Sequence, residues 1–600
     1  MAHSSSKWSS RISENLRIKL NDQQRFLLAC VVCGLLCGLL AVVFQLMIHG
    51  TFHHLWDFAT SHHETWGFVA IMLTAPTLGG LICGLAIKYW VPSALGSGIP
   101  QTKEAYYNKG GRISTFTGMW RVILGTVYIG LGNSLGREGP MVHASAAIAS
   151  RIGRFIFLDT ERVRAMIPVG MAAGIGAAFN APLSAITFVF EELLDNFSTK
   201  AIGGMVVAVV IAAAVSRSIL GEDPVLNTHL ALDYETSAWM LVAIPLGAIA
   251  GLMGHFFVGS ILTARKFIRS RTWLNSWYTP AAGGLICGML GCLAFWMTSS
   301  AGNAQHGVFS IGYGSLEAAF ENQLILSILI TLLAFKFVAV VVNYASGGSG
   351  GLFSPTLFLG GILGGVVGVL LVKSNNYFDV LTITDESQII GGCVLLGMGA
   401  MFGSVLRCPF TSLIIIFELT GNYSLILPLM GGNMLSWAIS RKFRPIALYD
   451  ALLLGDGVSL KRMPLYRGAQ DYRNLPVAAI MTHDVYSVKS WLTAEENLSE
   501  IQTGRTKHHA YTVIGEEGRF EGVVSQHELQ EVGPETQVLD LVQNQAVIFV
   551  HPEASIRDAS HLMIQNDIQQ LPVLSATDKD RLLGILTLND IARQQNATQI

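Results

Sequence analysis

The residues of this chain best placed to do chemistry stand in three short turns: GSGIP at 96–100, GREGP at 136–140 and GGLFSP at 350–355. Each sets glycines beside a proline where a helix could begin. Proline suits the first turn of a helix, because the amide it lacks would find no partner there. Glycine lets backbone amides come close to a bound group. A helix start offers free N–H donors and about half a positive charge, which makes an anion site without any full cation. A permeating ion must be held firmly enough to shed water and loosely enough to leave, and partial charges meet that demand better than a ring of lysines. One such turn alone reads as an ordinary loop between helices. Three of them in one apolar region read as helix starts converging on an anion path. The second turn also carries Arg137 and Glu138. An ionised carboxylate at an anion site imitates the anion and takes its place. Protonated, it loses that attraction, so proton binding and anion entry become linked. Arg137 reads as a structural brace beside it.

The elements that must position these turns are membrane helices. The chain has 600 residues, of which 51% are hydrophobic and only 13% charged, with mean hydropathy +0.47. Soluble domains carry roughly a quarter charged residues, so much of this chain faces lipid. A formal net charge of -2 gives no sign of a nucleic-acid partner. All eight cysteines fall in apolar stretches and read as small buried hydrophobes, so no metal site is expected.

Residues 26–440 form a string of apolar segments. Stretches 26–48, 67–90, 238–263 and 323–342 are long enough to span a bilayer, which takes about 20 residues. The first of these reads as a retained span rather than a cleaved leader. Stretches 141–157, 181–193 and 407–421 are shorter and broken by glycine and proline, the pattern of transporters whose broken helices meet at mid-membrane. The segment GMAAGIGAAFNAPLSAITFVFEEL from Gly170 aligns without a gap on GMGAMFGSVLRCPFTSLIIIFELT from Gly397, an offset of 397 − 170 = 227. PTLGGLICG from Pro76 matches PAAGGLICG from Pro280, an offset of 280 − 76 = 204. The expected fold is therefore an all-α polytopic membrane domain at 26–450 built of two related repeats, about 67–193 and 280–420. An inverted pair is the arrangement expected, although sequence similarity by itself does not fix orientation. Basic clusters at 7–25, 151–164, 265–271 and 441–444 place both termini in the cytoplasm of a cell-membrane protein.

After residue 450 the character changes. A cytoplasmic segment 1–25 and a linker 451–475 flank the membrane part. Two similar polar units follow, at 476–531 and 536–595, each reading as strand, amphipathic helix, two strands and helix.

GSGIP, GREGP and GGLFSP, together with the tyrosine of IALYDALL and the C-terminal unit pair, resemble the CLC family of chloride channels and transporters with CBS domains. The resemblance covers nearly the whole chain. It implies that the Ser97 and Tyr449 hydroxyls and the amides of Gly98, Ile99, Leu352 and Phe353 hold a halide. Glu138 would be the gating glutamate. Glu192 would be the inner proton-transfer acid that exchangers have and pure channels lack. Its neighbour Glu191 matches Glu418 in the second repeat, so Glu191 reads as shared architecture and Glu192 as the extra acid. Arg121 falls where relatives commonly have lysine, and would either raise the local potential or snorkel to an interface. His143 reads as a packed polar residue, and His53-His54 and His62-His63 as residues of an external loop. In the second CBS unit Thr587 and Asp590 match a pattern that holds a nucleotide ribose-phosphate. The first unit has Glu528 in place of that Asp.

The function so implied is secondary-active chloride/proton antiport by a homodimer with one pathway per subunit. It requires no cofactor, and an adenine nucleotide at the CBS units is an added expectation. Within the resemblance, Ser97 favours chloride over nitrate, and Ser97 with Tyr449 disfavours fluoride export. The rival is a passive voltage- or pH-gated channel of the same fold. An intramembrane serine hydrolase using Ser97 and His143 lacks a third partner, and a cation channel would want acid or carbonyl rings in its pore.

Overall fold

The computed structural model describes residues 19–599 except 62–65, 158, 195–198, 222–235, 272, 274–275, 379–385, 421–424, 461–474, 504–508, 544, 576–577 and 579. The basic segment before residue 19, His62-His63, the stretch 222–235 and most of the linker thus lie outside the described residues. The chain divides into two compact units, Met1–Lys461 and Arg462–Ile600.

The first unit is helical. After α1 (Asp22–Thr60) comes a first set, α2 (Trp66–Tyr89), α3 (Ile99–Asn108), α4 (Thr115–Gly130), α5 (Glu138–Ile156), α6 (Thr160–Phe179) and α7 (Pro182–Val189). Then α8 (Thr199–Leu220) and α9 (Thr236–Ser270) lead to a second set. It comprises α10 (Thr279–Ser300), α11 (Tyr313–Phe320), α12 (Leu326–Ala345), α13 (Phe353–Phe378), α14 (Glu386–Leu406) and α15 (Pro409–Thr420). The unit closes with α16 (Ile426–Phe443) and α17 (Leu448–Gly455), which carries Tyr449 and runs five residues beyond the expected boundary at residue 450. Among the described residues eight helices are long and apolar enough to cross a membrane. His53 and His54 belong to α1 rather than to a loop.

The two sets are inverted repeats, and the packing of α2 on α10 shows it. A Cβ on Gly80 would meet the carbonyl oxygen of Pro280 at 2.1 Å, and one on Gly284 would meet that of Pro76 at 2.1 Å. Farther along, Gly84 faces Trp277 and Gly288 faces Met72. As one number rises the other falls, so these equivalent spanning helices run antiparallel. Only glycine permits the backbones to approach so closely. At the centre, the apolar 18-residue stretch of α14 is wholly buried, and its repeat partner α6 is buried from Met166 to Phe179. These two helices face protein rather than lipid, which is why they tolerate so much glycine and alanine.

The second unit holds two small sheets. In one, β1 (Ser487–Lys489) runs parallel to β2 (Ala510–Ile514), which pairs antiparallel with β3 (Phe520–Ser525). In the other, β4 (Gln570–Leu574) and β5 (Leu582–Thr587) are antiparallel, and the expected first strand is reduced to a bridge between Val550 and Val573. Amphipathic helices α18 (Ala494–Thr503) and α21 (Ile556–Gln565) cover the sheets, and α19 (Gln526–Glu531), α20 (Val538–Val542) and α22 (Leu588–Gln599) complete the unit. The two halves of this unit trade segments: Val477 and Met481 pack in the second core, whereas Val538 and Val542 pack in the first.

Candidate functional site

The three glycine-proline turns meet. Gly98 caps α3 with φ 103, a left-handed value that favours glycine, and Pro100 lies in the first turn. Glu138 opens α5, and Phe353 opens α13. Gly136 and Gly351 exchange N–H to carbonyl bonds of 2.9 and 2.6 Å, which ties the second turn to the third. A Cβ on Gly139 would lie 2.3 Å from the Ser97 carbonyl oxygen, so the first turn abuts the second. Three helix starts therefore surround one buried volume.

Glu138 is only 1% exposed. Ser354 Oγ donates to its Oε1, while Oε2 has no hydrogen-bond partner among the described residues and points at Gly136 and Gly351. Arg137 donates instead to the Ala178 carbonyl at 2.7 Å and lies over the Phe179 ring. It braces the turn against the end of α6, as expected. Phe353 is enclosed by Phe179 and Phe402, each with centroid 4.5 Å away, and by Phe188. That cage fixes the backbone of Leu352 and Phe353, both buried.

Ser97 and Tyr449 are each 1% exposed. Tyr344 donates to Ser97 Oγ at 3.4 Å, and the Tyr449 hydroxyl has no hydrogen-bond partner among the described residues. Tyr449 lies within electrostatic reach of Glu192, Tyr344 and Glu138. The Gly98 amide is engaged by Gln101 Oε1 at 3.0 Å, which leaves Ile99, buried at the head of α3, without that side-chain cap.

Glu192 sits in a π-helical turn, Phe190–Leu194, that extends α7. Such turns shift side chains off the regular helical spacing. Here Glu191 and Glu192 go to different places. Glu192, 3% exposed, accepts from Lys103 Nζ at 2.6 Å, and Lys103 also pairs with Asp450 at 2.8 Å. Sequence reading passed over Lys103. Its one signal was a lone lysine one helical turn beyond GSGIP, with no way to see that α3, α7 and α17 converge on it.

Arg121 does not snorkel: it is fully buried. It donates to the carbonyls of Ser93 and Gly96 at 2.8 Å and of Leu95 at 3.1 Å, holding the strand of chain that leads to Ser97. Lys336 repeats the device, donating to Ser310 at 2.8 Å, Ile311 at 3.2 Å and Val308 at 3.4 Å. Cation and acceptors share one offset: 336 − 121, 308 − 93, 310 − 95 and 311 − 96 all equal 215. His143 is packed, with Nδ1 3.1 Å from Thr102 Oγ1.

On the side away from the start of α1, a cavity of about 700 Å³ reaches Arg137 and Tyr313 and is walled by Phe52, Trp56 and His306. In the second unit a separate cavity of about 450 Å³ is lined by Tyr486, His509, Thr587, Asp590 and Arg593. Thr587 donates from its amide and hydroxyl to Asp590 Oδ2 at 3.0 and 2.7 Å, capping α22. Ser525 and Glu528 make the corresponding cap in the first CBS unit.

Comparison with known proteins gives this geometry its context. Residues 79–441 match the family model described as voltage gated chloride channel, and residues 539–596 match the CBS domain. A protein of Cronobacter sakazakii named H(+)/Cl(-) exchange transporter ClcA is 28% identical over 446 residues, covering 71% of this chain and 89% of that one. The crystal structure of a slow cyanobacterial Cl-/H+ antiporter superposes with TM-score 0.65 at 23% identity, covering 73% of this chain and 99% of that one. A eukaryotic CLC transporter gives TM-score 0.62 at 17% identity over 94% of this chain and 98% of its own, which extends the shared fold to the C-terminal unit.

Proposed function

This chain belongs to the voltage-gated chloride channel family and carries a CBS domain near its C-terminal end, and from that premise we propose that it exchanges chloride for protons. It is a multi-pass membrane protein. Its relatives include chloride/proton exchangers. In the proposed reading it is a homodimer of the cell membrane, with both termini cytoplasmic and one pathway in each subunit.

Chloride is held between the Ser97 and Tyr449 hydroxyls and the helix-start amides at Ile99, Leu352 and Phe353, while Gly98, whose amide Gln101 engages, shapes the turn. Glu138, ionised, fills the neighbouring seat and shuts the path. Protonated, it yields the seat to chloride and carries its proton inward. Glu192, paired to Lys103, is the acid that exchanges protons with the inner side. The observation that carries this reading is the Glu138 carboxylate, buried where three helix starts meet, its Oε2 without a hydrogen-bond partner among the described residues. An acceptor so placed stands where an anion's charge would lie.

The test is parallel chloride and proton flux in proteoliposomes of the purified chain. A chloride gradient should drive proton movement against its own gradient. Glu192→Gln should abolish that proton movement and leave chloride flux. Glu138→Gln should abolish it too and free chloride flux from its dependence on acidity. Chloride flux with no coupled protons in the unaltered protein would instead mean a passive channel.

A further inference from the structure

The hydrogen bonding around Glu138 extends beyond its own turn. Ser354, fully buried, donates to Glu138 Oε1, and the Tyr313 hydroxyl lies 2.7 Å from Ser354 Oγ. A hydroxyl has one proton to give. Ser354 spends it on the carboxylate, so Tyr313 must be the donor in the second bond. The chain therefore runs one way, from Tyr313 to Ser354 to Glu138. Its outer end is at the 700 Å³ cavity, whose wall includes Tyr313.

We propose that Tyr313 and Ser354 form a latch of two hydroxyls that holds ionised Glu138 in its seat and so sets the acidity at which the path opens. The latch rests on Glu138 being the gate. A hydrogen bond to an ionised acceptor is about twice as strong as one to a neutral acceptor, and a donor behind the first strengthens it further. The latch thus favours the charged, seated carboxylate over the protonated one. Among the described residues no ion pair reaches Glu138: Arg137 gives its hydrogen bond to Ala178 and acts on the carboxylate only through its charge. The charged or titratable groups that face the carboxylate are Arg137 on its own turn, Tyr313 from α11 and Tyr449 from α17. From α13 it meets Ser354, which does not titrate. Tyr313 and Ser354 are positioning residues, since they act through Glu138.

The test is chloride flux against pH in proteoliposomes of the full chain. Ser354→Ala should move the midpoint of acid activation toward neutral pH by about one unit, the loss of one charge-assisted bond. Tyr313→Phe should move it the same way by less, and Ser354→Thr should restore it. In a Glu138→Gln background neither substitution should change the profile. A Ser354→Ala profile that overlies the unaltered one overturns the latch and leaves the gate standing. So does a shift that persists with Glu138→Gln. If Glu138→Gln alone keeps the full acid dependence, the gate reading fails and the latch goes with it.

Discussion

Glu191 closes the start of α15, and Glu418, near the end of α15, closes the start of α7. Glu191 accepts from the amides of Phe410 and Thr411 at 3.0 and 2.7 Å and from the Thr411 hydroxyl at 2.7 Å. Glu418 accepts from the amides of Leu183 and Ser184 at 2.8 and 2.7 Å and from the Ser184 hydroxyl at 2.5 Å. All three pairs keep the sequence offset: 418 − 191, 410 − 183 and 411 − 184 equal 227. Each repeat thus satisfies first-turn amides of the other, which would otherwise be orphaned.

Glu191→Ala and Glu418→Ala should therefore behave as twins. Each should lower stability by about 1–3 kcal/mol by leaving first-turn amides and a buried hydroxyl residue, Thr411 or Ser184, without their acceptor, read as thermal unfolding in detergent. Glu192→Gln, one residue from the cap, should disturb proton coupling rather than this bond. A Glu191→Ala protein as stable as the parent would contradict the cap.

Lys103 should resist replacement. Its ammonium is 3% exposed between Glu192 and Asp450, and removing one partner of a buried pair costs about 3–5 kcal/mol. Lys103→Met should fall at the low end, because the Asp450 side chain is 21% exposed. The variant should unfold at lower temperature and lose proton flux before chloride flux.

Gly136→Ala should unseat Glu138. Its new Cβ would fall 2.1 Å from Glu138 Oε2 and 3.0 Å from Pro355 Cδ. The carboxyl is the movable party, so it should leave. Chloride flux at neutral pH should rise by about tenfold if the seat loses roughly 1.4 kcal/mol of preference. Unchanged flux with the pH dependence intact would count against the seat.

Thr493 donates from its amide and hydroxyl to Glu496 at 2.9 and 3.0 Å. These bonds hold the Glu496 carboxyl below the usual glutamate range. The stability they lend α18 is present at neutral pH and is lost as pH falls through that lowered value. Protection of residues 494–503 from amide exchange, taken relative to the intrinsic rate at each pH, should fall on acidification of the full chain. With Glu496→Gln that fall should be smaller.

An adenine nucleotide bound beside Thr587 and Asp590 would have to share Asp590 with the α22 cap. Asp590→Ala should weaken nucleotide binding by about tenfold or more, the loss of one charge-assisted bond, measured by titration calorimetry on the full chain, whereas Glu528→Ala should not. Equal loss from both would shift the site away from the second CBS unit.

The repeats, the three turns and the special standing of Glu192 were legible because each is written locally: glycines and prolines at fixed spacing, and one acid without a counterpart. The inverted arrangement needed the antiparallel contact of Gly80 with Pro280 and of Gly284 with Pro76. Of the two readings of Arg121, snorkelling fails because its partners are backbone carbonyls, which no side-chain pattern announces. Lys103 and the Tyr313–Ser354 chain were invisible for a related reason. Their partners lie far along the chain, and only the folded repeats bring them together.

The bridge between Gly136 and Gly351 has a counterpart in what stands two residues on. The same offset, 351 − 136 = 215, sets Glu138 opposite Phe353. Two facing halves with the same side chain at both places would offer two equivalent doors, or none. With an acid in one and a phenyl ring in the other, a near-symmetrical body carries its carboxylate at only one of two equivalent places.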